Sequence, residues 1–170
     1  MLKDDFQREV FSHRHKMYRF AMSFLKNEEE AKDIVQEVLM KLWETKNELS
    51  EIKNLEAWCM TLTRNKSLDA LKRSGKRLND RLDVHHEPAH STSDTPLDIV
   101  AEKESIANVK KLADKLPEKQ KTAFTLREIQ GYSYLEICDI MSISMSQCKV
   151  NIFRARNTLK EELTKQYSYE

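Results

Sequence analysis

Glycine and proline are scarce, with two and three in 170 residues. Sheet-rich folds need many tight turns, and turns draw heavily on those two residues. The shortage therefore argues against strands. Long apolar runs are missing as well. No stretch approaches the roughly 18 consecutive apolar residues of a membrane span, and the start, Met1 to Val10, is charged and unlike a signal peptide. These absences predict no membrane insertion and a cytoplasmic location. Cysteine is limited to Cys59, Cys138 and Cys148, an odd number with no close pair. Neither a disulfide framework nor a zinc knuckle follows, and each thiol falls in a helical pattern where free Cys acts as a small apolar side chain.

Catalytic signatures are missing too. The sequence has no phosphate loop, no nucleophile elbow and no carboxylate pair on a strand. His85, His86 and His90, with His13 and His15, are the only candidate metal ligands. The first three lack an acid at helical spacing. No catalytic residue, metal or cofactor is expected, and an enzyme is the weakest functional class.

What the chain does have is charge, 34% of its residues, against 39% hydrophobic. The net charge of +1 hides a partition. Glu28 to Glu56 holds nine acids against four bases, whereas Ala57 to Arg81 holds seven bases against two acids. Neighbouring segments of opposite sign suggest two partners, one of them nucleic acid.

Apolar spacing and caps predict an all-α chain without internal repeats. A first helical block spans about Asp4 to Leu25, with Phe6, Val10, Tyr18, Ala21, Met22 and Leu25 as its apolar side. Asn27 with Glu30 resembles a capping box. It opens a helix to Glu44 whose stripe is Ala31, Ile34, Val35, Val38, Leu39 and Leu42. A connector from Thr45 to Asn54, anchored by Ile52, leads to a helix from Leu55 to about Arg73, apolar first and basic after. Composition then shifts, and residues 76–96 read as a flexible linker between a domain at 1–75 and one at 97–170. Thr95-Pro96-Leu97-Asp98 caps a helix reaching Leu116, Pro117 opens another, and Gly131 ends it in a left-handed conformation. Ser133-Tyr-Leu-Glu136 and Ser144-Met-Ser-Gln147 are two further capping boxes.

Two helices, about Tyr134 to Met141 and Met145 to Leu163, flank the three-residue joint Ser142-Ile143-Ser144. This is the arithmetic of a helix-turn-helix, whose second helix enters the major groove. Met145, Cys148, Ile152 and Ala155 should pack against Leu135, Ile137, Cys138 and Ile143. Ser146, Gln147, Lys149, Val150, Phe153 and Arg154 should face outward, suited to base edges, thymine methyls and phosphates. From Met141 to Lys160 there are four bases and no acid.

In the first domain, Asp33, Gln36, Glu37, Met40 and Glu44 oppose the apolar stripe with Trp43 at its border, which suits apolar anchors within a polar docking rim. The next helix carries Arg64, Asn65, Lys66, Lys72 and Arg73, leading into Lys76 and Arg77. Asn offers a base edge a donor and an acceptor, and the bases suit a phosphate backbone. Trp58 is either a base-stacking platform or, from its place in the apolar stripe, core.

These residues resemble a known family. Glu29-Glu-Ala-Lys-Asp-Ile-Val-Gln-Glu-Val-Leu-Met-Lys-Leu-Trp43 is similar to the polymerase-binding helix of extracytoplasmic-function sigma factors. Leu55-Glu-Ala-Trp-Cys-Met-Thr-Leu-Thr-Arg-Asn-Lys-Ser-Leu-Asp-Ala-Leu-Lys-Arg73 resembles their promoter-melting helix. Leu116-Pro-Glu-Lys-Gln, Glu136-Ile-Cys-Asp-Ile-Met and Phe153-Arg-Ala-Arg156 resemble their C-terminal DNA-binding domain. The resemblance implies a sigma factor that binds core RNA polymerase and directs promoter recognition, melting and initiation.

It further implies that Asp33, Gln36, Glu37, Met40 and Trp43 dock on the clamp helices of the largest subunit, with the flap of the second-largest subunit as another contact. Asn65 and the loop before Trp58 would hold a flipped minus-ten base, while Arg64, Lys66, Lys72 and Arg73 hold the separated strand. Ser146, Gln147, Lys149, Val150, Phe153 and Arg154 would read the duplex minus-thirty-five element. An anti-sigma factor is a further implied partner. The family usually has Thr-Val where Gln147-Cys148 stand, often Ser-Arg where Val150-Asn151 stand, and glycine where Ser142 stands. The competing readings are a two-domain helix-turn-helix regulator acting without core polymerase and a helical adaptor that binds no DNA. The adaptor leaves the acid-free recognition helix unexplained.

Overall fold

A computed structural model describes residues 3–75 and 96–169, and every regular element in them is helical. The linker residues 76–95, with His85, His86, His90, Lys76, Arg77 and the Thr95 cap, lie outside the described residues.

The expected first block is two helices, α1 (Lys3–Val10) and α2 (Arg14–Leu25), separated by a 3-10 turn at Phe11–His13. The break re-aims the chain, so that α2 buries Met17, Phe20 and Phe24 beside Ala21 and Leu25. Helix α3 runs over Glu28–Glu44 as expected, with the Glu30 N–H donating to the Asn27 side chain at 3.0 Å. That contact satisfies one of the donors a helix start leaves open and is worth about 1 kcal/mol. In the connector the deeper anchor is Leu49, which is fully buried, whereas Ile52 only packs against the core edge. The expectation gave that role to Ile52; the 3-10 turn at Leu49–Glu51 points Leu49 inward instead. Helix α4 spans Leu55–Arg73, and the Ala57 N–H donates to Asn54 Oδ1 at 2.9 Å.

In the second half, α5 (Pro96–Ala113) stops short of Leu116, and Leu116 is buried in the following turn. Helix α6 (Glu118–Phe124) continues as a π-helical turn to Ile129, and Gly131 follows at φ +79°, where a side chain would be strained. Helix α7 (Tyr134–Met141) and α8 (Met145–Ser168) both begin with complete capping boxes, from Ser133–Glu136 and Ser144–Gln147. Ser142 turns the chain between them at φ +53°, a left-handed conformation that only glycine enters without steric cost.

The two halves are docked. One apolar core runs from α1–α4 into Leu126, Tyr132, Ile137, Ile140, Cys148 and Ile152 of the second half, and α4 lies directly on α7. A smaller core of Leu112, Leu116, Phe124, Ala155 and Leu159 holds α5 and α6 against α8. Polar groups close the seam at several points. The Tyr132 hydroxyl donates to Glu56 Oε1 at 2.9 Å, Lys16 also donates to Glu56, and His13 lies 3.8 Å from the same carboxylate. Gln130 donates to the Lys16 carbonyl at 2.9 Å. Lys121, only 2% exposed, donates to the Ser23 carbonyl at 2.7 Å, pairs with Asp114 at 3.1 Å and lies over the Phe24 ring. A buried cation survives only with such partners.

Burial by itself would raise the Glu56 carboxyl, but hydrogen bonds from Lys16 and Tyr132, with the charges of Lys16 and His13, outweigh it and hold Glu56 below its ordinary value. The seam therefore gains stability above about pH 4.3, where a free Glu is ionised. It loses that stability as pH falls through the lower folded value. Small-angle scattering should give a radius of gyration near 16 Å for the docked chain at neutral pH, rising on acidification. In Glu56→Gln the acid-driven part of that rise should shrink, and an unchanged acid profile would refute the role of this carboxylate. Lys121→Ala, which leaves the Ser23 carbonyl without its donor and Asp114 with Lys26 alone at 3.0 Å, should lower stability in urea by about 3 kcal/mol.

Candidate nucleic-acid interface

Three surfaces expected from sequence are on the outside of this docked body. On α3 the stripe Ala31, Ile34, Val35, Val38 and Leu42 is buried, which turns Asp33, Gln36, Glu37, Met40 and Trp43 to solvent. Met40 is 64% exposed, far more than a core methionine would be. Trp43 is half held: its ring meets Phe6 of α1 edge-on at 5.1 Å, and Lys46 lies over it at 3.9 Å. Phe6 thus fixes the orientation of the exposed indole edge, a support that sequence spacing did not reveal.

Helix α4 is packed on two sides, by α2 and α3 and by α7. The remaining side carries Trp58, Asn65, Lys72 and Arg73, all exposed, with Arg64 and Lys66 at its edges. Trp58 is 39% exposed, so of its two readings the structure excludes full burial. Neighbouring Ala57, Cys59 and Met60 take the core positions. Arg64 donates to the Asn65 side-chain oxygen at 3.0 Å, leaving the Asn65 amide aimed by a cation. Lys66 pairs with Glu37 of α3 at 2.9 Å, which ties the acidic face to the basic one. Farther inside, burial pushes the Cys59 thiol up to about 12, so it stays a neutral packing group.

On α8, Cys148, Ile152, Ala155 and Leu159 are buried, and Ser146, Gln147, Lys149, Val150, Phe153 and Arg154 are all exposed. Phe153 keeps 64% of its surface exposed, a large apolar side chain turned to solvent. The expected support from Leu135 is absent. Leu135 is 71% exposed, while Ile137 and Ile140 supply the contact. With its start set by the Ser133 cap, α7 presents Ile137, Ile140 and Met141 inward and rotates Leu135 out. Arg156 is also exposed but is tied to Glu128, its Nε donating at 2.6 Å.

Arg127, Tyr132 and Tyr134 form a support that the sequence reading missed. Arg127 donates to the Tyr132 carbonyl at 2.9 Å and lies over the Tyr134 ring. Burial first, and then Glu56, push the Tyr132 phenol well above its ordinary value, so it remains a donor. Only the position of Tyr132 directly after Gly131 hinted at a fixed role. Beside α8, an apolar groove of 570 Å³ is lined by Val109, Phe124, Leu159, Leu163 and Tyr167, among others. Among the described residues no helix is long and apolar enough to cross a membrane.

Known proteins match this arrangement. The family described as sigma-70 region 2 matches residues 10–77, and the one described as sigma-70, region 4 matches 106–159. The RNA polymerase sigma-H factor of Pseudomonas aeruginosa is 28% identical, covering 91% of this chain and 83% of that protein. The ECF RNA polymerase sigma factor SigW of Bacillus subtilis is 24% identical, covering 95% and 90%. The sigma factor RpoE of Bartonella quintana, solved with the anti-sigma factor NepR, superposes with a TM-score of 0.71 at 27% identity, over 94% of this chain and 97% of that one. CnrH, solved with the cytosolic domain of CnrY, shares the fold at 22% identity and a TM-score of 0.69, over 96% and 90%. Two family regions in their expected order, covering well over half of the sequence, decide the matter: the chain belongs to the sigma-70 family of RNA polymerase sigma factors, in its extracytoplasmic-function group.

Proposed function

We propose that this sigma factor divides its work between a unit at 1–75 and a unit at 97–170, joined by residues 76–96, and that it acts through the three exposed surfaces described above. One observation carries the reading. A Met–Trp face ringed by acids, an Asn within a basic strip and a recognition-helix row without acids up to Lys160 all point outward from one body. Asp33, Gln36, Glu37, Met40 and Trp43 dock on the clamp helices of the polymerase's largest subunit. The apolar groove beside α8 offers the flap of the second-largest subunit a surface. Asn65, with Trp58 as a stacking platform, takes an unpaired minus-ten base, and Arg64, Lys66, Lys72 and Arg73 hold the strand around it. Ser146, Gln147, Lys149, Val150, Phe153 and Arg154 read the minus-thirty-five duplex. Melting needs no bond chemistry, because binding the unpaired strand stabilises the open state. Core polymerase and promoter DNA fix the place of action as the cytoplasm. An anti-sigma factor is the natural antagonist, by analogy with the Bartonella quintana sigma factor RpoE, solved with the anti-sigma factor NepR.

The docked halves have to part for this to happen. Elements centred about 25 base pairs apart are separated by roughly 85 Å of duplex at about 3.4 Å per pair. Packed helices such as α4 and α7 have axes only about 10 Å apart. No single docked body of this size engages both elements at once.

Promoter-directed transcription with purified core polymerase should depend on this protein. Met40→Ala, which disturbs no core contact, and Trp43→Ala should each weaken core binding by about 2 kcal/mol. Loss of initiation together with loss of core binding supports the reading. Tight operator-like binding to duplex without core, and no initiation with it, would replace the reading with the regulator. Gln147→Ala should relax discrimination at one upstream base pair by about 1–3 kcal/mol, seen as a flattened preference in a promoter-variant library. Tyr132→Phe, which loosens the seam and touches no DNA-facing residue, should raise initiation at limiting core concentration. A fall there would refute the need for undocking.

A further inference from the structure

The joint of the helix-turn-helix brings together two thiols that the sequence separates by a turn. Cys138 stands one helical turn before the joint, its carbonyl accepting the N–H groups of Ser142 and Ile143, the latter at 3.1 Å. Cys148 stands one turn after it, its N–H donating to the Ser144 carbonyl at 2.9 Å. The Cys148 thiol points back across the joint, donating to the Tyr134 carbonyl at 4.0 Å. Tyr134 and Cys138 are four residues apart on α7 and so share a face. The Cys148 sulfur therefore lies against the α7 ridge that carries Cys138. Both belong to one apolar cluster: Cys148 is fully buried and Cys138 packs on it from a partly open position. Burial pushes the Cys148 thiol up to about 11, and the neighbouring Cys138 thiol adds to that rise. Cys59 sits apart, buried in the first half.

We propose that Cys138 and Cys148 are an oxidation-sensitive pair, closing to an intramolecular disulfide across the helix-turn-helix when the protein meets a peroxide. Cys138 is the entry point because solvent reaches it. Its thiolate attacks one oxygen of hydrogen peroxide, the O–O bond breaks, and the released hydroxide takes a proton to leave as water. The sulfenic acid on Cys138 is then attacked by the Cys148 sulfur, which loses its proton as the hydroxyl departs as a second water. Two thiols are oxidised and one peroxide is reduced to two waters. A dithiol reductant reverses the step by exchange.

The consequence falls on α8. A disulfide brings two sulfurs to about 2.0 Å, closer than any thiol–thiol contact, so the first turn of α8 is drawn toward α7. Cys148 lies between Gln147 and Lys149, and hydrogen bonds to base edges tolerate little displacement. Oxidation thereby weakens reading of the upstream element. The thiol chemistry is independent of the promoter reading above, and only this last effect rests on it.

The test treats the reduced full chain with hydrogen peroxide and reads thiol count, intact mass and non-reducing peptide maps. The pair predicts loss of the Cys138 and Cys148 thiols with Cys59 retained, a mass lower by two hydrogens, a monomer on a non-reducing gel and one peptide linking 138 to 148. Cys138→Ala and Cys148→Ala, both small apolar replacements, should each abolish the mass loss. Either one alone keeps the test open if the other folds poorly. With core polymerase, the oxidised protein should lose initiation several-fold and regain it with dithiothreitol, while Cys138→Ala should initiate equally before and after peroxide. Retained thiols, a gain of oxygen mass, or a link between two chains would overturn the pair. A disulfide that leaves initiation unchanged would overturn the regulatory effect. Failure of the reduced protein to initiate at all would count against the promoter reading, while the mass data decide the thiol chemistry separately.

Discussion

Helix α4 has to satisfy three environments at once, and the charge at its start makes that feasible. Its first turn carries Glu56, where the unpaired N–H groups of a helix end favour a carboxylate. The same carboxylate takes Lys16 from α2 and Tyr132 from the second half. With that corner pinned, Ala57, Cys59, Met60, Leu68 and Leu71 enter the core, and only one narrow strip of α4 stays in water. The surface proposed above for the unpaired strand lies on that strip. A helix so fully packed leaves few positions free, which is why Trp58, Asn65, Lys72 and Arg73 fall together.

The polar seam also divides labour between strength and release. Its apolar part, around Ile137 and Ile140, is the kind of contact that hydrophobic burial stabilises without direction. Its polar part, where the Tyr132 hydroxyl meets Glu56 and the Lys121 ammonium meets the Ser23 carbonyl, specifies one relative placement of the halves, because those bonds form only there. On opening, the polar pairs exchange their partners for water, whereas the apolar core shared by the two halves loses burial.

Much of this was legible from local patterns. The Asn27, Ser133 and Ser144 caps were readable because the atoms involved are three residues apart and meet in any helix start. The stripe on α3 and the outward row on α8 followed from helical periodicity and hold, except that Leu39 of the stripe is only half-buried at the core edge. The misses share one cause. Leu135 was placed inward because apolar residues usually are, but the orientation of α7 is set by which of its faces meets α4 and α8. The 3-10 break at Phe11–His13 and the burial of Leu49 depend likewise on what the chain must reach next. Lys121 looked like a surface lysine, and only its contacts with nearby Asp114 and with Ser23 and Phe24 from the distant first half make it a core residue.

The sequence by itself determined the helices, their apolar faces, the helix-turn-helix and the family, because caps, spacing and motifs act within a few residues of the chain. Tertiary structure alone decided that the two halves are docked, that Trp58 faces water, that Phe6 braces Trp43, and that the Cys148 thiol points back at the face of α7 that carries Cys138. Those outcomes depend on which helix faces find each other across long stretches of chain. Such pairings are chosen by packing and by the cost of stranding a buried polar group, and neither quantity is written in any local run of residues.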